Sequence, residues 1–280
     1  MRVGCNALYP YGTLAHSSLF TVEAMREALR RLEEAGYDSA EFSHAYHLSL
    51  YEAAALGRYA ASIGVECWSI HAEGSMGFGL GCTLEDAQAA LLHCVELCGV
   101  TGARVLVVHA PIGIGLQLPT DMTLQQALGR DRQVLERALA KAQHMGVEIA
   151  LENGSTLAHM RYIIQVCAIL STSSLGICVD TGHANLGDLG APLAVRMAGH
   201  RLYTTHLHDN LGERDDHLPP GRGVIPWDQV FGALRQVGYR RTLMLELTDS
   251  ATDRVYDQNL EMRQGAENTK ELAIGSLATS

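Results

Sequence analysis

The sequence predicts one α/β domain spanning residues 1–280, a (β/α)8 TIM barrel. Three observations predict it. A unit of helical run, glycine and short apolar β-rich run recurs along the chain; eight such strands alternate with eight helical stretches; and no linker rich in Pro, Gly or Ser divides them.

The elements follow in order. The first strand is read at 2–5, and a helix at 21–35, where Val22, Met25, Ala28, Leu29 and Leu32 recur at helical spacing. Gly36 ends that helix before a strand at 39–43; a helix at 48–63 leads through Gly64 to a strand at 65–71. Thr83-Leu84-Glu85-Asp86 resembles a capping box and opens a helix at 83–99, which Gly102 separates from a strand at 105–109. A helix at 123–145, Gly146 and a strand at 147–152 repeat the unit, followed by a helix at 156–171 and a strand at 176–179. A helix at 190–199, a strand at 202–206, a helix at 226–237, Gly238, a strand at 242–246 and a helix at 255–273 complete the series, with the tail at 272–280 expected to fray. Glycine suits the left-handed position that ends a helix, and strands apolar on both faces suit a parallel sheet covered by helices. The alternative, an open doubly wound sheet, lacks a GxGxxG after the first strand; the glycines at 77–81 have the wrong spacing.

Composition narrows the partners. Of the 280 residues, 47% are hydrophobic and 19% charged, which describes a core-forming globular chain. A net charge of -10, from 31 acidic and 21 basic residues, opposes nucleic acid and anionic membrane. No apolar run reaches signal-peptide or membrane-spanning form, so a soluble, cytoplasmic protein is expected. Seven cysteines without CxxC spacing read as reduced thiols, with Cys94 and Cys98 packed in a helix. Lys141 and Lys270, the two lysines, fall in helices, which excludes a Schiff-base aldolase, and no GxSxG elbow occurs.

In such a barrel the carboxyl ends of the strands converge on one mouth. There the chain places His71, His109, Glu152, Asp180, His183, His206, His208, Asp209 and Glu246. A lone histidine at a strand end is more often a hydrogen-bonded structural residue, but nine polar groups at one rim are a different matter. Carboxylates crowded together repel unless a cation compensates, and His, Asp and Glu are the donors for a hard or borderline divalent ion.

The sequence resembles the xylose isomerase-like barrels, a family of sugar and polyol isomerases, epimerases and dehydratases together with AP endonucleases. The resemblance rests on Ile149-Ala150-Leu151-Glu152-Asn153, Val179-Asp180-Thr181-Gly182-His183, His206-Leu207-His208-Asp209, the stretch from Pro220-Gly221 to Pro226-Trp227, and Leu245-Glu246. In the epimerase branch it implies one divalent metal, Mn2+, Mg2+ or Co2+, held by Glu152, Asp180, His206 and Glu246, with His183 touching substrate. It also implies an arginine about four residues before the Pro-Gly of the seventh loop; His217 stands there, and Arg214 is the candidate substitute.

The expected activity is a sugar or polyol isomerisation or epimerisation, by proton abstraction next to a carbonyl through a metal-stabilised enediolate. Glu152 and Glu246 are the catalytic pair, unless both only ligate the metal. His71, His109, His183, Glu41, His217 and Arg214 are the substrate-binding candidates. A lyase or dehydratase on a related keto-sugar abstracts the same proton and stays open, as does a sugar-binding subunit without turnover. The AP endonuclease branch holds three Zn2+, and its ligand types recur here with His71, His109, His183, Asp215 and His217 as additional ligands, which keeps a zinc phosphodiesterase open. Charge speaks against a duplex substrate. Residues 32–57, 59–103 and 105–129 contain no Lys or Arg, so the loops after strands 2 to 4 offer phosphates no cation. They offer Glu41, His44, Tyr46, His47, Glu73 and Met76 instead, a lining suited to a small unphosphorylated sugar or polyol. Trp68 is read as core, and a homo-oligomer is an open expectation.

Overall fold

All eight expected strands form in the computed structural model, which describes residues 1–8, 21–43, 45–72, 82–109, 122–248 and 257–278. They are β1 (Val3–Asn6), β2 (Ser39–Phe42), β3 (Glu66–Ala72), β4 (Val105–His109), β5 (Glu148–Glu152), β6 (Leu175–Asp180), β7 (Leu202–His206) and β8 (Leu243–Leu245). All pairings are parallel, in the order β7-β6-β5-β4-β3-β2-β1-β8. The ends of that order meet at a parallel bridge between Leu207 and Leu245. There the Leu207 N–H donates to the Met244 carbonyl at 2.8 Å and the Glu246 N–H to the Leu207 carbonyl at 3.3 Å, so the sheet closes into a barrel.

The helices that cover it are α1 (Val22–Glu34), α2 (Leu50–Ser62), α3 (Leu84–Thr101), α4 (Leu124–Met145), α5 (Leu157–Leu170), a short α6 (Thr181–Asn185), α7 (Ala191–Ala198), α8 (Trp227–Gln236) and α9 (Gln258–Ala278). Side-chain oxygens of Thr21, Ser49, Thr83, Thr123 and Thr156 accept from the backbone three residues on and start five of them. Complete capping boxes form at Ser49 with Glu52 and Thr123 with Gln126. At Thr83, Asp86 is one methylene shorter than Glu and takes the threonine hydroxyl at 2.6 Å instead. Helix α6 escaped the sequence reading because its five residues are too few to show a period. Helix α9 continues to Ala278.

Two apolar layers hold the barrel. Leu29, Phe42, Leu56, Leu91, Leu106 and their neighbours fill the space between strands and helices. Trp68, Val105, Val107, Ala150, Cys178, Tyr203 and Met244 form a second, separate cluster. The Trp68 indole N–H donates to Thr204 Oγ1 at 3.0 Å, which makes it core. Gly176 is required beside it, since a Cβ there would collide with the Tyr203 ring. Cys94 and Cys98 are buried on α3, and the seven cysteines stand outside any disulfide. Among the described residues no helix is long and apolar enough to cross a membrane.

Candidate metal centre

Each motif residue occupies the carboxyl end of its strand, so the closed barrel brings them together. His109 and Glu152 are the last residues of β4 and β5 and are register partners, as are Asp180 and His206, the last residues of β6 and β7. His71 lies one residue from the end of β3, and Glu246 directly follows β8, its backbone bridged to Leu207.

One donor atom from each of Glu152, Asp180, His206 and Glu246 lies within 4.8 Å of the others. His206 Nδ1 stands 3.4 Å from Glu152 Oε2, 3.4 Å from Glu246 Oε2 and 3.9 Å from Asp180 Oδ2. Donors about 2.0–2.1 Å from one small divalent ion are themselves about 3 Å apart, so the four atoms stand near that spacing. His206 Nδ1 and Glu152 Oε1 are buried without a hydrogen bond, although Glu152 Oε1 is 3.1 Å from His183 Nδ1. A buried polar atom left unpaired is costly, and a cation among these donors removes the cost. Three carboxylates and one imidazole therefore fit a hard or borderline divalent ion.

A second layer holds these donors in place. The Asn153 side chain accepts from the Asp180 N–H at 2.9 Å and donates to the Asp180 carbonyl at 3.0 Å, which fixes the end of β6. Asn6, which the sequence reading passed over, does the same across the barrel, donating to the Leu247 carbonyl at 3.0 Å and accepting its N–H at 2.9 Å. His208 Nε2 lies 3.0 Å from both Asp180 oxygens. Gly182 makes room for that ring, since a Cβ would overlap His208. Asp209 is a staple, accepting from the N–H groups of Asn210, Gly221 and Ile225 and, at 2.7 Å, from the Trp227 indole. The loop so pinned carries Asp215, whose Oδ2 lies 3.1 Å from His183 Nε2 and 3.2 Å from His217 Nε2. The His217 ring stacks on His208 with centroids 4.0 Å apart.

Burial favours neutral forms throughout, but here charge overrules it. Burial raises the Glu152 carboxyl, yet His109, His206 and His183 around it hold it well below the usual carboxylate range. Glu246 is lowered against its own burial by His206 and His217. His206 and His183 are pushed down by burial and up, further, by the surrounding acids. His217 loses by burial but rises to about 9 through Asp215 and Glu246. In His109 burial wins and the pKa falls.

The sequence model of xylose isomerase-like TIM barrels matches residues 29–272. The chain belongs to the xylose isomerase-like TIM barrel family. A D-psicose 3-epimerase of Enterocloster bolteae is 31% identical over 137 residues, 46% of this chain and 44% of that protein. The chain spans about half the length of the curated relatives it matches. An L-ribulose 3-epimerase structure superposes with a TM-score of 0.78 at 18% identity, covering 99% of this chain and 96% of that one. The IolI protein with a bound zinc atom superposes with a TM-score of 0.72 at 16% identity over 99% of each chain.

Within this xylose isomerase-like barrel, most sequence candidates converge and a few do not. His71 Nε2 is 3.2 Å from Glu152 Oε2, and His109 Nε2 is 3.7 Å from the same oxygen. Arg214, on the loop that carries Asp215, pairs with Asp216 at 2.9 Å and keeps 60% of its side chain exposed. Glu41 is fully enclosed behind His206 instead of facing an open cavity, because Ser69 and His206 both hold its Oε2. Tyr46 and His47 line a separate cavity of about 610 Å3 with Asp86 and His93. His44, Glu73 and Met76 lie outside the described residues.

Proposed function

We propose that the protein is a divalent-metal-dependent sugar epimerase or isomerase acting on a small unphosphorylated ketose. The observation that carries this reading is the convergence of Glu152, Asp180, His206 and Glu246, with buried, unpaired donor atoms among them. D-psicose 3-epimerases among the relatives support the same reaction class. Mn2+, Mg2+ or Co2+ suits the three-oxygen, one-nitrogen donor set. Such an ion, when bound, stabilises the negative charge that develops on a sugar's carbonyl and hydroxyl oxygens.

The chain's own residues then manage the proton. Glu246 keeps 17% of its side chain accessible while Glu152 is fully enclosed, so Glu246 is the carboxylate that reaches a substrate proton from the open side. Glu152, enclosed, would hold the cation as the other member of the carboxylate pair, and His183, tied to Asp215, orients a hydroxyl. Glu246→Gln tests the assignment. With D-psicose in D2O, the variant is expected to retain Mn2+ but to exchange the proton of the inverted carbon at least 100-fold more slowly, a typical general-base contribution being about 10²–10⁴-fold. Exchange at the wild-type rate removes Glu246 from the mechanism.

One observation favours a second reading. Donor atoms of His71, His109 and Glu152 also lie within 4.8 Å of one another, and Asp215 links His183 to His217, so donors of the type a zinc phosphodiesterase would use lie beside the four-residue set. Three tightly held Zn2+ and cleavage of an abasic duplex would establish that reading over the first.

A further inference from the structure

We propose that Glu41 is a positioning residue, whose carboxylate fixes the His206 imidazole with Nε2–H turned away from the donor set and Nδ1 turned into it. The proposal rests on the reading of the centre as a cation site.

Glu41, Ser69 and His206 are all fully buried. Glu41 Oε2 takes the Ser69 hydroxyl at 2.7 Å and stands 3.1 Å from His206 Nε2. On the other side of the same ring, Nδ1 faces Glu152, Glu246 and Asp180. Which ring nitrogen is free to ligate is set by the hydrogen bond the other one makes, and a carboxylate acceptor both fixes the tautomer and makes the ring a better donor.

Two further observations separate this role from simple packing. The β2–β3 register shifts between Ala40 and Glu41, pairing Glu41 with Ser69, and such irregularities re-aim a side chain beside a site. Glu41 Oε1 is buried with no partner, so the carboxylate is not built in for a full hydrogen-bond set of its own. An enclosed carboxylate with a spare oxygen is an expensive core residue. What it accomplishes here is to hold Ser69 and His206 on one oxygen.

The test is Mn2+ affinity without substrate, read from the electron paramagnetic resonance signal of free Mn2+ in titrations of wild type, Glu41→Met and Glu41→Gln, each checked for fold by circular dichroism. Glu41→Met is expected to bind Mn2+ about 10–100-fold more weakly, the usual effect of removing such a partner. Glu41→Gln keeps an oxygen for the Nε2–H and is expected to recover most of that loss. Wild-type affinity in Glu41→Met, or equal weakness in both variants, overturns the positioning role while leaving the cation site standing. No Mn2+ binding by wild type overturns the cation site and the proposal together. A readout that needs no variant is the 15N spectrum of the wild-type imidazoles loaded with diamagnetic Zn2+: the His206 proton is expected on Nε2, and a proton on Nδ1 overturns the proposal even if the variants do not fold.

Discussion

Asp131 and Glu152 are both fully buried acids, yet they shift in opposite directions, because burial prevails in one and neighbouring charge in the other. Glu152 is ringed by histidines and falls. Asp131, on α4, has burial as its dominant influence and is pushed up to about 7, with the Tyr162 hydroxyl, donating at 2.5 Å, drawing it only part of the way back. Between the ordinary pKa of 3.8 and about 7, the folded chain keeps a proton that the unfolded chain releases. This group's contribution is thus intact below about pH 4 and is lost as pH rises through 7, a difference on the order of 4 kcal/mol. Asp131→Asn, which still accepts from Tyr162, is expected to be more stable than wild type at pH 8, with the gap closing toward pH 4. Urea unfolding of both proteins at pH 4, 6 and 8 checks this, and a constant gap contradicts it. The individual site residues were legible because a charged or imidazole group ending an apolar strand stands out. Asn6 carries the same pattern at the end of β1, but an amide suggests no metal chemistry and its partner Leu247 is 241 residues away. Glu41 was read as a substrate-binding candidate, and its direction, behind His206, was not legible, since the register shift that turns it belongs to strand pairing.

At the scale of elements, the stretch from Asn210 to Pro226 behaves as a stapled loop: Asp209, just past the end of β7, gathers Gly221, Ile225 and Trp227 from the far end of the segment leading into α8. This explains the Pro-Gly-Arg-Gly-Val-Ile-Pro-Trp motif physically. Gly223 passes so close that a Cβ would collide with the Asn210 carbonyl, and Trp227 supplies an indole donor to a buried carboxylate. The motif could be recognised in the sequence, but its partner could not, because an aspartate after two histidines reads as another ligand. Trp227→Phe keeps the ring and removes the donor. It is expected to destabilise the fold by about 1.5–3 kcal/mol, the value of a hydrogen bond to a charged group, and to raise amide exchange across 210–225. Denaturant unfolding and hydrogen exchange measure the two effects, and unchanged exchange in that segment contradicts the staple. Strand β8 shows the opposite case: read as 242–246, it pairs over Leu243–Leu245, and the bridge to Leu207 rather than the ladder places Glu246.

At the scale of the whole molecule, one cluster of arginines lies at the end of the barrel away from the donor set. The donor residues crowd the carboxyl ends of the strands, while Arg2, Arg104, Arg240 and Arg241 line a cavity of about 850 Å3 with Glu66 and Glu148, which begin β3 and β5 at the other end. Arg104 and Arg241 meet those two glutamates at 3.1 and 3.0 Å. The guanidinium groups gathered there cannot also grip a polyanion at the metal end, so fluorescence anisotropy with an abasic duplex is expected to show no saturable binding at physiological salt, and tight binding contradicts the sugar reading. The barrel itself was legible because eight apolar strands alternate with eight helices, five of the strands announced by a glycine at the preceding helix end. Which residues close it was not, since the bridge joins Leu207 to Leu245 and no local pattern links them. The account stands on the four donors that closure assembles. Anomalous diffraction from crystals soaked in Mn2+ tests it most directly: a single strong peak ligated by Glu152, Asp180, His206 and Glu246 is predicted, and no peak among those side chains contradicts it.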